Sequence, residues 1–336
     1  MAVLVTGGAG YIGSHTVKAL LSAGRDVVVL DDFSAGHRGA CDALQTIARP
    51  GQLTVVEAGI GDTATIEAAC RQHGIDAVMH FAAWLSVGDS VKDPAGYYRN
   101  NVSGSIGLLD GITRAGVTRL IFSSTCATYG EPQRVPIDET HPQQPINSYG
   151  ESKLAVERAL PHFETAHGLK SIALRYFNAA GADPDGLLGE DHDPEIHIIP
   201  RAIFAALGTD SLKVFGEDYP TPDGTCLRDY IHVTDLADAH VRGLESLERG
   251  GPSGRFNVGT GTPHSVKAVI DAVGRVAGRP VPFTVGPRRP GDPSALFAAN
   301  DAIRSALGWQ PRYADLEAIV GTAWNWFDAH PNGYGD

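Results

Sequence analysis

Ala2-Val3-Leu4-Val5-Thr6-Gly7-Gly8-Ala9-Gly10-Tyr11-Ile12-Gly13 lies at the head of the chain. A short apolar run ends in glycines at 7, 10 and 13, and Ser14 to Ala23 continues with helical periodicity, so the stretch reads as strand, glycine-rich turn, helix. Glycine at those three positions allows a tight turn, close approach of backbone to a pyrophosphate, and close packing of helix on strand. The helix N-terminus adds amide donors for phosphate. The same pattern also fits a plain tight turn between strand and helix, so its context decides. The next strand, Asp26 to Leu30, ends in Asp31, about 20 residues beyond the glycines, where a carboxylate accepts hydrogen bonds from an adenosine ribose. Asp31 and Asp32 repel a 2′-phosphate, which favours NAD over NADP as the cofactor.

Alternation continues with a strand at Leu53 to Glu57, a helix at Thr63 to His73 and a strand at Ala77 to Phe81. The expected fold class is α/β, a doubly wound parallel sheet. Two of its strands end in His80-Phe81-Ala82-Ala83 and in Phe122-Ser123-Ser124-Thr125, at the carboxyl edge where ligands bind such sheets. A long helix between them is expected to carry Asn100 towards the cofactor, although a polar residue on a half-covered helix fits that position equally well.

Tyr149-Gly150-Glu151-Ser152-Lys153 is the second informative stretch. A tyrosine four residues ahead of a lysine puts phenol and ammonium on one helix face. A phenol normally ionises near pH ~10, and a fixed positive charge beside it favours the ionised form, so Tyr149 is a candidate general base with Lys153 as its activator. Alone, the spacing describes many solvated helix faces as well. Thr125, at a strand end near this helix, is the third chemical candidate. Pro161 is expected to kink or end the helix, and Gly168 to close the segment.

The chain has 336 residues, 43% hydrophobic and 20% charged, the balance of a globular protein with a substantial core. A formal charge of -12 opposes nucleic-acid and anionic membrane partners, so a phosphorylated ligand needs locally placed arginines. The 4 cysteines show no metal or redox spacing, which fits a reducing cytoplasm. No apolar run approaches the roughly 20 residues that span a bilayer, and no room precedes the first strand for a signal peptide. From Ala182 onward the texture changes to loops rich in Gly, Pro and Asp. The expected division is 1–181 for the cofactor, with segments returning at about 234–260, and 182–336 as a smaller, interleaved C-terminal lobe for the substrate. Glu190-Asp191-His192-Asp193-Pro194-Glu195-Ile196-His197 matches no standard ligand spacing, and no metal is expected.

With Thr6 to His15, Tyr149 and Lys153, Arg175-Tyr176-Phe177-Asn178, Leu227-Arg228-Asp229-Tyr230-Ile231-His232-Val233 and Arg288-Arg289-Pro290-Gly291-Asp292 in order, the chain resembles the nucleotide-sugar 4-epimerases of the extended short-chain dehydrogenase/reductase family, nearly end to end. The resemblance implies a Rossmann sheet, bound NAD, a UDP-sugar substrate and a homodimer. It implies that Tyr149 deprotonates the sugar 4-hydroxyl, that Lys153 lowers the Tyr149 pKa and holds the nicotinamide ribose, and that Thr125 hydrogen-bonds the reacting oxygen. Cofactor contacts carry over to Gly7, Gly10, Tyr11, Ile12, Gly13, Asp31, Asp32, Phe81, Ala82, Asn100, Ser123, Tyr149, Lys153 and Tyr176. Substrate contacts carry over to Asn178, Arg228 and Arg289 at the diphosphate, Phe215 at uracil, Asp292 at the uridine ribose, and Leu296 at the sugar. His197 stands where relatives carry an asparagine that contacts the nucleotide. Leu85 and Gly59 depart from a lysine and an aspartate that contact the cofactor in relatives. Pentose and N-acetylhexosamine epimerases are the near alternatives. A 4,6-dehydratase needs a carboxylate beside the threonine, where Cys126-Ala127 stands, and a non-catalytic NAD sensor commonly lacks the Tyr/Lys pair.

Overall fold

A computed structural model describes residues 1–289 and 291–335; Pro290, inside the Arg288 to Asp292 motif, lies outside the described residues. In chain order the first part runs β1 (Ala2–Thr6), α1 (Tyr11–Ser22), β2 (Asp26–Asp31), α2 (Arg38–Ile47), β3 (Leu53–Glu57), α3 (Thr63–His73) and β4 (Ile75–His80). It continues through α4 (Val87–Lys92), α5 (Pro94–Tyr97), a π-turn (Tyr98–Gly104), α6 (Ser105–Arg114), β5 (Arg119–Thr125), α7 (Ser148–His167) and β6 (Lys170–Tyr176). The remainder comprises β7 (Asn178–Ala180), α8 (Ile198–Leu207), β8 (Leu212–Phe215), β9 (Leu227–His232), α9 (Val233–Glu248) and β10 (Gly254–Val258). It closes with β11 (Pro263–Ser265), α10 (Val266–Ala277), β12 (Phe283–Gly286), β13 (Ala295–Leu296), α11 (Asp301–Leu307) and α12 (Leu316–Ala329).

Seven strands form one sheet in the order β10-β6-β5-β4-β1-β2-β3, every neighbouring pair parallel. Covered on both faces, its strands need apolar side chains in both directions, which is why β1 reads as a run rather than an alternation. Val3 and Val5 pack on one face with Val17 and Leu20 of α1 and Leu236 of α9, while Leu4 packs on the other with Ile66, Leu108 and Ile112. The strand order reverses between β1 and β4, which opens a crevice at their carboxyl ends. The doubly wound expectation holds.

Two local expectations change. The helix expected between β4 and β5 is broken into α4, α5, the π-turn and α6. Asp93 and Pro94 restart the chain, with Asp93 Oδ1 accepting from the Gly96 N–H at 2.9 Å. Pro161 neither ends nor closes α7, which runs on to His167 and is capped by the left-handed Gly168. A proline cannot donate to the carbonyl four residues back. That carbonyl, Glu157 O, accepts instead from Arg255 Nη2 of β10 at 3.4 Å, so the tertiary fold supplies the missing donor.

The second part centres on β9, flanked by β7 and β13 in parallel and β11 antiparallel, with β8 and β12 as a separate pair. Its core joins Ile199 and Ile203 of α8, Val269 and Val273 of α10, and Ile319, Val320 and Trp326 of α12. Between these, α9 returns to lie against α1 and β10 completes the large sheet. Among the described residues no helix is long and apolar enough to cross a membrane.

Candidate active site

The glycine turn is fixed by its own close contacts. Gly7 has φ +70°, and a Cβ there would lie 2.5 Å from Ala82 N; a Cβ on Gly13 would lie 2.0 Å from Gly7 O. Both positions exclude any side chain. A Cβ on Gly10 meets only Gly7 O, at 3.5 Å, so that glycine leaves an open surface where the first-turn amides of α1 have no side-chain cap. This is the cradle a pyrophosphate needs. The buried Asp31 carboxylate accepts from Ala9 N–H and Phe33 N–H, both at 3.0 Å, and so also braces the turn. Asp32 accepts from the Ser34 amide and hydroxyl. Tyr11 leaves the turn to donate to Gly181 O at 2.5 Å. Each of these glycines and aspartates, with Tyr11, Ile12, Phe81 and Ala82, lines one large cavity.

The same cavity runs to the Tyr149 helix and is lined there by Asn100, Ser123, Thr125, Tyr149, Lys153 and Tyr176. Asn147 caps α7 by accepting from the Gly150 N–H at 2.8 Å, which fixes where Tyr149 enters. Burial pushes the Tyr149 phenol well above its ordinary value; Tyr176 adds to the rise, and the Thr125 hydroxyl opposes it. Lys153 is 4% exposed, and burial brings its ammonium down to about 7. Its Nζ donates to Ser123 O at 2.9 Å and lies 5.1 Å from the Phe122 ring centroid. The resemblance expects Lys153 to depress the Tyr149 pKa; here the Lys153 ammonium donates to a β5 carbonyl and is itself desolvated, and burial is the largest influence on the phenol. Ser123 Oγ and the Tyr176 hydroxyl hydrogen-bond each other. Asn100 donates to Asn101 Oδ1 at 3.0 Å.

Towards the second part the cavity meets Asn178, His197, Arg228, Asp292 and Leu296. These residues, apart from Leu296, also line an adjoining recess that adds Phe215 and Arg289. Arg228 is 8% exposed and pairs with Asp292, and the Arg289 guanidinium sits 3.9 Å from the Phe215 ring centroid. Side chains expected on the diphosphate, the ribose and the base thus contact one another: Arg228 with Asp292, and Arg289 with Phe215. Leu296, on β13 beside Arg228, lines the cavity and packs against the cluster of Tyr129, Ile137, Phe177 and Ala298.

Two residues escaped sequence reasoning: Asn101, next to the lining residue Asn100, and Cys126 on the cavity wall. Asn101 holds Trp84 and Ser152 together, accepting from Trp84 N–H and donating to Trp84 O and Ser152 Oγ. Only the Asn100-Asn101 doublet hinted at it. Cys126 borders the cavity, but burial pushes its thiol up to about 12, so it is no nucleophile. Among the described lining residues of the large cavity the carboxylates are Asp31, Asp32 and Asp292, none beside Thr125.

A parallel sheet with an open glycine cradle, a half-buried tyrosine and a buried lysine at the far end of one cavity, and an arginine-bearing recess beyond them define a nucleotide-dependent enzyme acting on a phosphorylated ligand. The chain matches the NAD dependent epimerase/dehydratase family over residues 3–259 and belongs to it. It is 50% identical over 337 residues to the UDP-glucose 4-epimerase of Lacticaseibacillus casei, covering 100% of this chain and 99% of that one. It is 52% identical over 325 residues to the UDP-glucose 4-epimerase of Rhizobium leguminosarum bv. trifolii, covering 96% of each. The crystal structure of UDP-glucose 4-epimerase from Brucella ovis in complex with NAD superposes with a TM-score of 0.92 at 49% identity, covering 97% of this chain and 98% of that one. The enzyme from Bifidobacterium longum in complex with NAD+ and UDP gives 0.93 at 37% identity over 99% and 100%.

Proposed function

We propose that the protein interconverts UDP-glucose and UDP-galactose by inverting carbon 4 of the sugar. The observation that carries this is a single cavity joining the Gly7 to Gly13 cradle to Tyr149 and opening into the recess of Arg228, Arg289 and Phe215. A dinucleotide held at one end and a UDP-sugar held at the other meet at the phenol. NAD, when bound, accepts the hydride from carbon 4 and returns it to the opposite face of the 4-keto sugar. Tyr149 Oη takes the 4-hydroxyl proton and gives it back. Thr125 orients that oxygen, and Lys153, with Ser123 and Tyr176, holds the cofactor side of the site. Burial raises the Tyr149 phenol and brings Lys153 down to about 7, so positive charge entering beside the phenol favours the phenolate. Gly10 and the uncapped start of α1 fit a pyrophosphate, and Asp31 fits a ribose without a 2′-phosphate. Residues 1–181, with 234–260, serve the cofactor in this reading and 182–336 the UDP-sugar.

We also propose a cytoplasmic homodimer. Val87, Val91, Tyr98 and Ile106 are exposed apolar side chains on the helical segment between β4 and β5, and a second copy of the chain covers them in this reading.

The test is direct. Purified protein mixed with UDP-galactose and no added cofactor is expected to form UDP-glucose, and acid denaturation to release NAD approaching one per chain. Nucleotide-free protein that consumes NAD stoichiometrically as it turns over would overturn the reading.

A further inference from the structure

Between β7 and α8 the chain folds Glu190, His192, Glu195 and His197 into one knot, each offering a ligand atom within 4.8 Å of the others. The Glu190 and Glu195 side chains are 4% and 7% exposed, His192 16% and His197 35%. Both imidazoles turn Nδ1 to the carboxylates. His197 Nδ1 lies 2.6 Å from Glu190 Oε1 and 3.1 Å from Glu195 Oε1; His192 Nδ1 lies 3.1 Å from Glu190 Oε1. Glu195 Oε1 also accepts the Ile196 and His197 amides, both at 2.7 Å. Its Oε2 is buried with no hydrogen-bond partner, 3.7 Å from His192 Nδ1. A buried carboxylate oxygen without a partner is costly and calls for an electrophile.

We propose that this knot binds one divalent cation of the zinc class, through Nδ1 of His192 and His197 and one oxygen each of Glu190 and Glu195. A tetrahedral zinc site with bonds of about 2.0–2.1 Å has ligand atoms roughly 3.4 Å apart. The Glu190 Oε1 separations of 2.6 and 3.1 Å and the Glu195 Oε2 separation of 3.7 Å bracket that edge, and all four ligand atoms lie within 4.8 Å of one another, so side-chain rotation has to draw them in. Two carboxylates balance the ion's charge with both imidazoles neutral, so burial leaves no net charge. Each Nδ1 faces a carboxylate and so carries a proton, which it releases to solvent as the ion binds, leaving the imidazole neutral with its proton on Nε2. Two nitrogens and two oxygens suit zinc rather than magnesium or calcium. The spacing along the chain fits no standard motif because the ligands come from an irregular loop, braced by the Trp326 indole donating to Glu190 O at 3.2 Å. His192 and His197 line the main cavity, and Glu190 and His197 line the recess. The ion's role is to hold that wall of the site in place, and it takes no part in the hydride or proton steps.

The test uses the full-length protein stripped by chelator and redialysed against zinc chloride alone. One zinc per chain is expected by elemental mass spectrometry. X-ray absorption is expected to show nitrogen and oxygen near 2.0–2.1 Å with imidazole outer scattering, and no sulfur near 2.3 Å. Glu195→Gln and Glu190→Gln are each expected to weaken zinc binding by more than about a hundredfold, beyond the roughly 10–100-fold that loss of a supporting contact costs. No retained zinc, a sulfur shell from the cysteines, or undiminished affinity in a folded Glu195→Gln would overturn the proposal. Should both variants fail to fold, the wild-type absorption spectrum decides alone. These readouts are independent of epimerase turnover, so they stand or fall apart from the proposed activity.

Discussion

Glu157→Gln probes the buried clamp behind the candidate catalytic residues. Arg175 Nε donates to both Glu157 oxygens at 2.9 and 3.2 Å, and Nη2 to Oε2 at 2.5 Å. Ser124 Oγ donates to Oε1 at 2.5 Å, and Arg175 Nη1 to Tyr129 Oη at 2.9 Å. The two charged side chains are 2% and 1% exposed. Glutamine keeps the shape but loses the charge, and turns an amide NH₂ onto a guanidinium or a hydroxyl donor. Breaking a buried pair in this way costs about 3–5 kcal/mol, mostly the uncompensated ion that remains. Urea unfolding at pH 7 measures it. Ser124 adjoins Thr125, Arg175 adjoins Tyr176, and Glu157 lies one turn beyond Lys153, so loosening the clamp misplaces three candidate groups together. A fall in kcat of up to ~10²-fold is expected in the folded fraction, as for a displacement of about 1 Å. Glu157→Leu with Arg175→Met removes both charges and should be more stable than Glu157→Gln. A single-variant loss below about 1 kcal/mol, the range of exposed pairs, would refute the argument. So would a double variant as unstable as the sum of its singles.

Tyr149→Phe should keep the fold and UDP binding while lowering turnover about 10²- to 10⁴-fold, with Thr125→Ser milder; near wild-type rates would place the base elsewhere. Arg228→Ala and Arg289→Ala should each weaken UDP-sugar binding by about 1.5–3 kcal/mol in calorimetry. Buried His15 and His240 are brought down to about 4, and His80 and His232 to about 3, by desolvation. Folded values below the unfolded one mean that stability is present above pH ~6.5 and lost as pH falls toward 4 and 3. At pH 5 each site forfeits about 2 kcal/mol, so the urea midpoint should drop steeply from pH 6.5 to 5, and a flat profile would show these imidazoles to be protonated in the fold. Leu296→Tyr should depress kcat/KM for UDP-N-acetylglucosamine relative to UDP-galactose by tens-fold, and Leu296→Ser should raise it, since a misfit of a few atoms is worth about 1–3 kcal/mol; a constant ratio would remove Leu296 from the sugar site.

Legibility followed the range of the physics. The Gly7, Gly10 and Gly13 turn was readable because its constraints are local: φ, a missing Cβ and the next strand. The Tyr149 and Lys153 pairing was readable as a spacing, but its electrostatic sense was not, because desolvation is decided by Phe122, Ser123 and Tyr176 arriving from other strands. The course of α7 through Pro161 depended on Arg255, almost a hundred positions away. Asn101 and Glu157 acquire their meaning from partners that only the fold brings near, whereas the Glu190 to His197 cluster was visible in the sequence but its inward-turned geometry was not. The division of labour between Arg228, Arg289, Phe215 and Asp292 came from resemblance alone, and their mutual contacts in the free protein could not be read from order along the chain.

Those contacts bear on how a chain with a formal charge of -12 can take a dianion. Arg228 is too deeply buried to stand alone, and Asp292 balances it. In the proposed reading a diphosphate replaces Asp292 as the partner of Arg228, which leaves a carboxylate beside a second anion unless that carboxylate gains donors of its own. The hydroxyls of a ribose supply them. Arg289 likewise leaves the face of Phe215, and a base takes its place on the ring. Each side chain therefore exchanges one partner for another rather than being stripped of one, and only a ligand with base, ribose and diphosphate together offers all the replacements. Pyrophosphate alone leaves Asp292 and Phe215 unserved, so in the proposed reading selectivity for a nucleoside diphosphate over pyrophosphate arises from the Arg228–Asp292 and Arg289–Phe215 pairings, without any excess of positive charge.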